Sequence, residues 1–140
     1  MIAVTEKSRS AVLALTELAR RGDAAPVPIL EVSEGRGIPL HLLEQLFSSL
    51  RRAGILQSQR GVKGGYSFRR APREVTLLEV VETVDGALTP PEPLDRRADP
   101  AGEAIWAEAR ERLADLLRDV TVADMVEREA RLESAPMFHI

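Results

Sequence analysis

The segment of this chain whose residue types and spacing most clearly imply a chemistry is Arg60-Gly61-Val62-Lys63-Gly64-Gly65-Tyr66. Glycines allow a tight turn and a close approach of backbone to a ligand. Cations carried on such a turn suit a polyanion: Arg60 fits a narrow minor groove, where the negative potential is deepest, and Lys63 fits a phosphate. The G-x-x-x-x-G-K-S/T spacing of a nucleotide-binding loop is missing, so the glycines do not read as a P-loop. Upstream, a helix from Pro39 to Arg52 would carry Pro39, His41, Leu42 and Gln45 on an open face with Glu44 beside them. Gln can pair with adenine, Glu can accept from the cytosine amino group, and Leu can meet a thymine methyl. His41 suits a phosphate or a base edge. Lys7, Ser8 and Arg9 open the first helix with donors placed for phosphate contact.

The charge distribution agrees with a polyanion partner. The chain of 140 residues has a net charge of −3, but residues 1–75 carry +5 and residues 76–140 carry −8. From Gln45 to Arg73 there are seven basic residues, Arg51, Arg52, Arg60, Lys63, Arg69, Arg70 and Arg73, and no acidic one. This polarity predicts a basic face for double-stranded DNA and an acidic half with another task.

Other chemistries find little support. With no cysteine in the chain, disulfides, thiolate metal sites and cysteine nucleophiles are excluded. His41 and His139 lack metal-ligand spacing, and Asp95, Asp99 and Glu103 read as solvated loop carboxylates. No nucleophile–base pair, metal set or nucleotide loop is present, so no enzyme, metal or cofactor is expected. The start, Met1 to Glu6, has no basic region followed by an apolar stretch, and no apolar run approaches the roughly 20 residues of a membrane span. A cytoplasmic protein without membrane contact is expected.

These residues need elements to position them. Apolar residues at three-to-four spacing, Ala11, Val12, Leu15, Leu18 and Ala19, predict a helix over 7–21. A short second helix follows through Ile29, Leu30 and Val32 to about Gly35-Arg36-Gly37. The third begins with Pro39 as its first residue, burying Leu40, Leu43, Phe47 and Leu50, and closes at Ala53-Gly54. Two β-leaning runs, from Ile55 and from Tyr66, flank the glycine turn as a hairpin. Thr76 with Glu79 is a capping box for a fourth helix to Gly86, and Thr121 with Asp124 is a weaker one near the end. Prolines at 90, 91, 93 and 100 mark a linker, after which Ala101 to Arg118 is helical with Ile105, Trp106, Ala109, Leu113, Leu116 and Leu117 apolar. Trp106 suits packing at the dimer helix or against the DNA-binding domain, with the wall of an effector pocket as a further reading.

Three helices and a hairpin, in that order, form the winged helix-turn-helix arrangement. The expected architecture is mainly α with a small β-hairpin wing: a winged helix-turn-helix domain over 1–86, a Pro-rich linker over 87–100, and a dimerisation helix and tail over 101–140. An apolar helix on such a linker is satisfied most simply by its twin in a homodimer.

The stretches Gly37-Ile38-Pro39-Leu40-His41-Leu42-Leu43-Glu44-Gln45-Leu46-Phe47, Leu50-Arg51-Arg52-Ala53-Gly54-Ile55-Leu56, Arg60-Gly61 and Gly64-Gly65-Tyr66 resemble the IscR, NsrR and CymR family of bacterial winged-helix repressors, the Rrf-two family. The resemblance covers nearly the whole chain, including Thr5 to Ala11. It implies a homodimer joined through the helix at 101–118 on an inverted-repeat operator, with His41, Leu42 and Glu44 at base-reading positions and Arg60 in the minor groove. Members that sense through an iron–sulfur cluster carry three closely spaced cysteines before the dimer helix, and here the loop from Ala87 to Glu103 has none. Leu42 stands where an aromatic is often found. The expected function is a sequence-specific, cluster-free DNA-binding repressor. The alternative is a winged-helix module for an acidic protein partner, and the signal, a small molecule or a protein effector, stays open.

Overall fold

Helix formation starts at Thr5, whose hydroxyl accepts the backbone N–H of Ser8 at 3.2 Å and so satisfies one donor that the first turn leaves free. The computed structural model describes residues 4–22, 25–86 and 98–134. Helix α1 runs Glu6–Arg21 and ends at Gly22, which turns left-handed at φ 63°. Helices α2 (Ile29–Arg36) and α3 (Leu40–Arg52) follow, then strands β1 (Leu56–Gln59) and β2 (Gly65–Phe68), paired antiparallel with Leu56 opposite Phe68 and Gln59 opposite Gly65. A 3-10 turn at Pro72–Glu74 precedes α4 (Leu77–Asp85), and α5 (Pro100–Arg118) and α6 (Val122–Ser134) complete the described chain. The linker residues 87–97, with Asp95, and the tail from 135, with His139, lie outside the described residues.

One core serves all the elements except α5. Leu15 and Leu18 of α1, Val32 of α2, Leu43, Phe47 and Leu50 of α3, Leu56 of β1, Val80 of α4 and Val122 of α6 are all buried in a single cluster. Two details of α3 differ from the expected pattern. Leu46 joins the buried stripe, whereas Leu40, at the helix start beyond the edge of the core, stays 37% exposed. Pro39 has an extended ψ of 131° and stands just before the helix as its cap.

The C-terminal part does not stand apart from this core. Leu77 donates its N–H to the Val120 carbonyl at 2.8 Å, and Val122 donates to Val75 at 2.9 Å, so the chain entering α4 and the chain entering α6 run side by side. Helix α6 then packs chiefly on α1. The two capping boxes exchange rank. Thr121 and Asp124 bond reciprocally, 2.9 Å from the Thr121 N–H and 3.1 Å back from the Asp124 N–H. Thr76 caps the Glu79 N–H at 3.1 Å, but the Glu79 carboxylate is drawn away by Arg70 and does not reciprocate.

A single carboxylate is buried inside this assembly. The Glu17 side chain is 3% exposed and accepts from Arg20, Arg21 and Arg36, each at 2.8 Å. Burial alone would raise its pKa, but the hydrogen bonds from Arg20, Arg36 and Arg21 outweigh that and hold it at about 2 instead of 4.5. Replacing Glu17 by alanine leaves three guanidinium groups without their shared partner. It should cost about 3 kcal/mol, the low end for a buried pair since Arg20 keeps half its surface in water, read as a lower denaturant midpoint. A depressed pKa stabilises fully above the unfolded value and stops doing so as pH falls through the folded one. Stability should therefore decline between about pH 5 and pH 2, and Glu17→Gln should flatten the curve over that interval. An unchanged curve would exclude Glu17 as the source.

Candidate nucleic-acid interface

The helix-turn-helix is fixed by a short set of bonds. Gly37 takes the left-handed conformation at φ 65°, Ile38 donates its N–H to the Ser33 carbonyl at 3.1 Å, and the Ser33 hydroxyl donates to the Ile38 carbonyl at 2.6 Å. Only glycine turns left-handed at little cost, so the sharp reversal between α2 and α3 falls there. With Leu43, Leu46, Phe47 and Leu50 buried, α3 turns His41, Glu44, Gln45, Arg51 and Arg52 outward, and Pro39 at its entry is exposed as well. His41 Nε2 and Gln45 Nε2 lie 3.3 Å apart, one helical turn from each other. Leu42 is half-buried and packs against the core.

The wing is held on both sides. Strand β2 pairs with β1, and Tyr66 also exchanges backbone hydrogen bonds with Val27, 2.8 and 2.9 Å, on the segment leading into α2. The Tyr66 ring meets Phe47 of α3 edge-on, with centroids 4.9 Å apart at 63°. Tyr66 is thus half-buried as a bracket between the hairpin and α3, a place that its position in the sequence motif did not reveal. Gly65 has φ 152°, and a Cβ there would overlap the Val27 carbonyl, so this close crossing of strands needs glycine. The tip, Arg60, Gly61, Val62 and Lys63, stands in solvent, and a Gly64 N–H to Gly61 carbonyl bond of 2.9 Å closes it.

Electrostatics separates two kinds of arginine. Arg20, Arg21, Arg36 and Arg70 are spent on carboxylates, and the hydrogen bond to Glu79 raises the Arg70 pKa. Among the described residues, no carboxylate pairs with Arg51, Arg52, Arg60, Lys63 or Arg69, and all five are exposed. Arg52 donates to the Ser48 and Ser49 hydroxyls of its own helix, at 2.9 and 3.4 Å. The first turn of α1 divides. Lys7 is exposed and Arg9 pairs with Glu6 at 3.0 Å, but Ser8 is fully buried, with its hydroxyl donated to Asp85 of α4. The phosphate contact expected of Ser8 is therefore corrected: its hydroxyl is part of the α1–α4 joint.

The remaining sequence candidates lie on α5. None of its residues is buried, and Ile105, Trp106 and Leu116 are 51%, 58% and 60% exposed. Ala109 is exposed, Leu113 is half-buried, and Leu117 lines a groove of about 270 Å³ with Val4, Val12, Leu13, Val81 and Met125.

A family model described as Rrf2, iron-dependent transcriptional regulator, matches residues 4–128. This chain belongs to the Rrf2 family. It is 32% identical over 141 aligned positions to the HTH-type transcriptional regulator IscR of Escherichia coli, covering 97% of this chain and 87% of that one. Among solved structures it is similar to CymR of B. subtilis, a global cysteine regulator, with a TM-score of 0.82, 28% identity, and 91% and 98% of the two chains covered. It is also similar to T. potens IscR, with a TM-score of 0.78, 26% identity, and 97% and 93% covered. The winged-helix fold expected from the order of elements is the fold of these regulators, and the chain is a DNA-binding transcription regulator and not an enzyme.

The iron in the family's description does not fit the residues of this chain. Iron–sulfur clusters are held mainly by cysteine thiolates, and the sequence has no cysteine. Among the described residues, no three His, Asp or Glu side chains gather as a ligand set.

The crossing of β2 over Val27 offers a direct test of how the wing is seated. Gly65→Ala should push the strand off this segment and loosen Tyr66 from Phe47, with a loss of thermal stability and of DNA affinity together. A variant that keeps both would show that the wing is held elsewhere.

Proposed function

We propose that the chain is a homodimeric repressor that places α3 in the major groove and the wing tip in the adjacent minor groove of each half of an inverted-repeat operator. The observation that carries this reading is the row of exposed cations on α3 and the hairpin, Arg51, Arg52, Arg60, Lys63 and Arg69, left free of carboxylates among the described residues, while Arg20, Arg21, Arg36 and Arg70 are held by carboxylates of the domain's own helices. A folded domain that keeps such charges together and unpaired offers them to a polyanion. His41, Glu44 and Gln45 present base-reading groups on the open face of α3, with Pro39 at its entry and Leu42 reaching out from the core edge. Arg51, Arg52 and Lys63 contact phosphates, Arg60 enters the minor groove, Gly61 lets the tip turn, and Tyr66 braces the wing. Lys7 and Arg9 add phosphate contacts from the start of α1.

The dimer follows from α5. A 19-residue helix with no fully buried residue in its own chain, and with Ile105, Trp106 and Leu116 open to water, gains most by pairing with a second copy. Ala109, Leu113 and Leu117 continue the same seam. No cofactor enters this reading, and the protein acts in the cytoplasm.

Fluorescence anisotropy on duplex DNA from upstream of the gene, against a scrambled duplex, tests the reading. Tight, selective binding with a steep dependence on salt is expected. Lys63→Ala should weaken binding to all sequences alike and lower the slope of log affinity against log salt by about 1. Arg60→Ala should also blunt the preference for A·T-rich flanks. Equal, weak binding to both duplexes would favour an acidic protein partner instead. In sedimentation, Trp106→Ala should shift dimer toward monomer, and an unchanged dimer would move the seam off α5.

A further inference from the structure

We infer that Arg36 is a positioning residue through which helix α6 holds the recognition helix in its DNA-binding orientation, an inference that rests on the proposed reading of α3. Arg36 is the last residue of α2, immediately before the Gly37 turn that aims α3. Its side chain is 18% exposed, and each of its three guanidinium nitrogens donates to a carboxylate. Nε donates to Glu17 of α1 at 2.8 Å, while Nη1 and Nη2 donate to the two oxygens of Glu129 of α6 at 2.8 and 2.7 Å. Hydrogen bonding to Glu129 raises the Arg36 pKa further, and Arg36 lowers that of Glu129, so both stay charged at any physiological pH.

The fork to Glu129 is directional. Two parallel N–H···O bonds fix the orientation of both planar groups as well as their distance, which a lysine ammonium cannot do. Among the described residues, no other side-chain hydrogen bond joins α6 to α2 or α3. Glu17 cannot take over if Glu129 withdraws. Its Oε1 already accepts from Arg20 at 3.1 Å as well as from Arg36, and its Oε2 accepts from Arg20 and Arg21 at 2.8 Å each. Three cations meet on Glu17, and the other two negative charges come from Glu31, which accepts from Arg21 at 2.9 Å, and from Glu129, which alone of these two reaches Arg36. Helix α6 continues directly from α5 through Asp119-Val120-Thr121, so the position of α5 is passed on to Glu129 and from there to the turn. The pair is a joint between the C-terminal helices and the helix-turn-helix. When it is closed the turn is rigid; when it is open Arg36 has one crowded carboxylate left and the entry to α3 gains freedom.

The test uses the full chain with Glu129→Gln and Arg36→Lys, and with Val80→Ala as a control that removes buried α4 surface without touching the joint. Two readings are taken well below the unfolding temperature: affinity for the operator duplex, and amide hydrogen exchange without DNA at Ile38 and Leu43, the first donors after the turn. Glu129→Gln and Arg36→Lys should each raise the dissociation constant by about fivefold or more and speed exchange at these two amides. Val80→Ala should lower stability while leaving both readings near wild type. Wild-type exchange at Ile38 and Leu43 in Glu129→Gln overturns the inference, as does a Val80→Ala variant that reproduces both effects. If the wild-type protein selects no operator, the reading of α3 fails, and the exchange comparison still decides whether α6 controls the turn.

Discussion

Glu17 occupies a position that apolar packing alone would give to a leucine. It lies on the buried side of α1 among Ala14, Leu15 and Leu18, and it is kept charged by arginines from its own helix and from α2. A buried carboxylate without partners would be costly enough to neutralise or to unfold its surroundings. The structure resolves this by bringing Arg36 to it, which fixes the end of α2 against α1, and by bringing Glu129 to Arg36, which fixes α6 against both. The angle between α1 and the helix-turn-helix is therefore set as much by hydrogen-bond geometry as by the interlocking of leucines. Apolar contacts tolerate sliding, whereas a planar fork does not.

The same economy governs the wing. A two-stranded hairpin is marginal by itself in water, and this one is carried by its neighbours. Val27 adds backbone bonds on the free side of Tyr66, and Phe47 of α3 receives the Tyr66 ring. The side chain that fills the core beneath α3 is thus also the one against which the wing rests. Helix and wing are thus joined by both backbone and ring contacts into one continuous surface. The outermost turn, with Arg60, Val62 and Lys63, is left in solvent and free to adapt.

Charge is sorted by depth in this family member. Arginines near the core are held in a shared carboxylate cluster, and among the described residues those on the surface of α3 and the hairpin are left unopposed. The acidic residues collect on the C-terminal helices, where they lower the net charge without shielding the basic face. Absence of cysteine removes the thiolates on which an iron–sulfur sensor depends, while the DNA-facing elements keep the layout shared with IscR and CymR.

Much of the architecture was legible without coordinates because it depends on neighbours within a few residues. The three-to-four spacing of apolar residues located α1, α3 and α5, the glycine turn located the hairpin, and Thr76 and Thr121 announced two helix starts. Local rules failed where a distant group competed. Leu40 matched the stripe of α3 but fell beyond the core, and Glu79 matched a capping box but was drawn away by Arg70. Ser8 looked like a surface donor, yet Asp85, 77 residues on, claims its hydroxyl, and Tyr66 looked like part of the wing tip, yet Phe47 claims its ring. The bond between Arg36 and Glu129 spans 93 residues and leaves no trace in any periodicity. The sequence by itself determined which segments are helix, strand and turn, the family, and which charges are available to DNA. Only the tertiary structure decided which of those charges are already spent, because pairing depends on distances between elements that nothing in the linear order encodes.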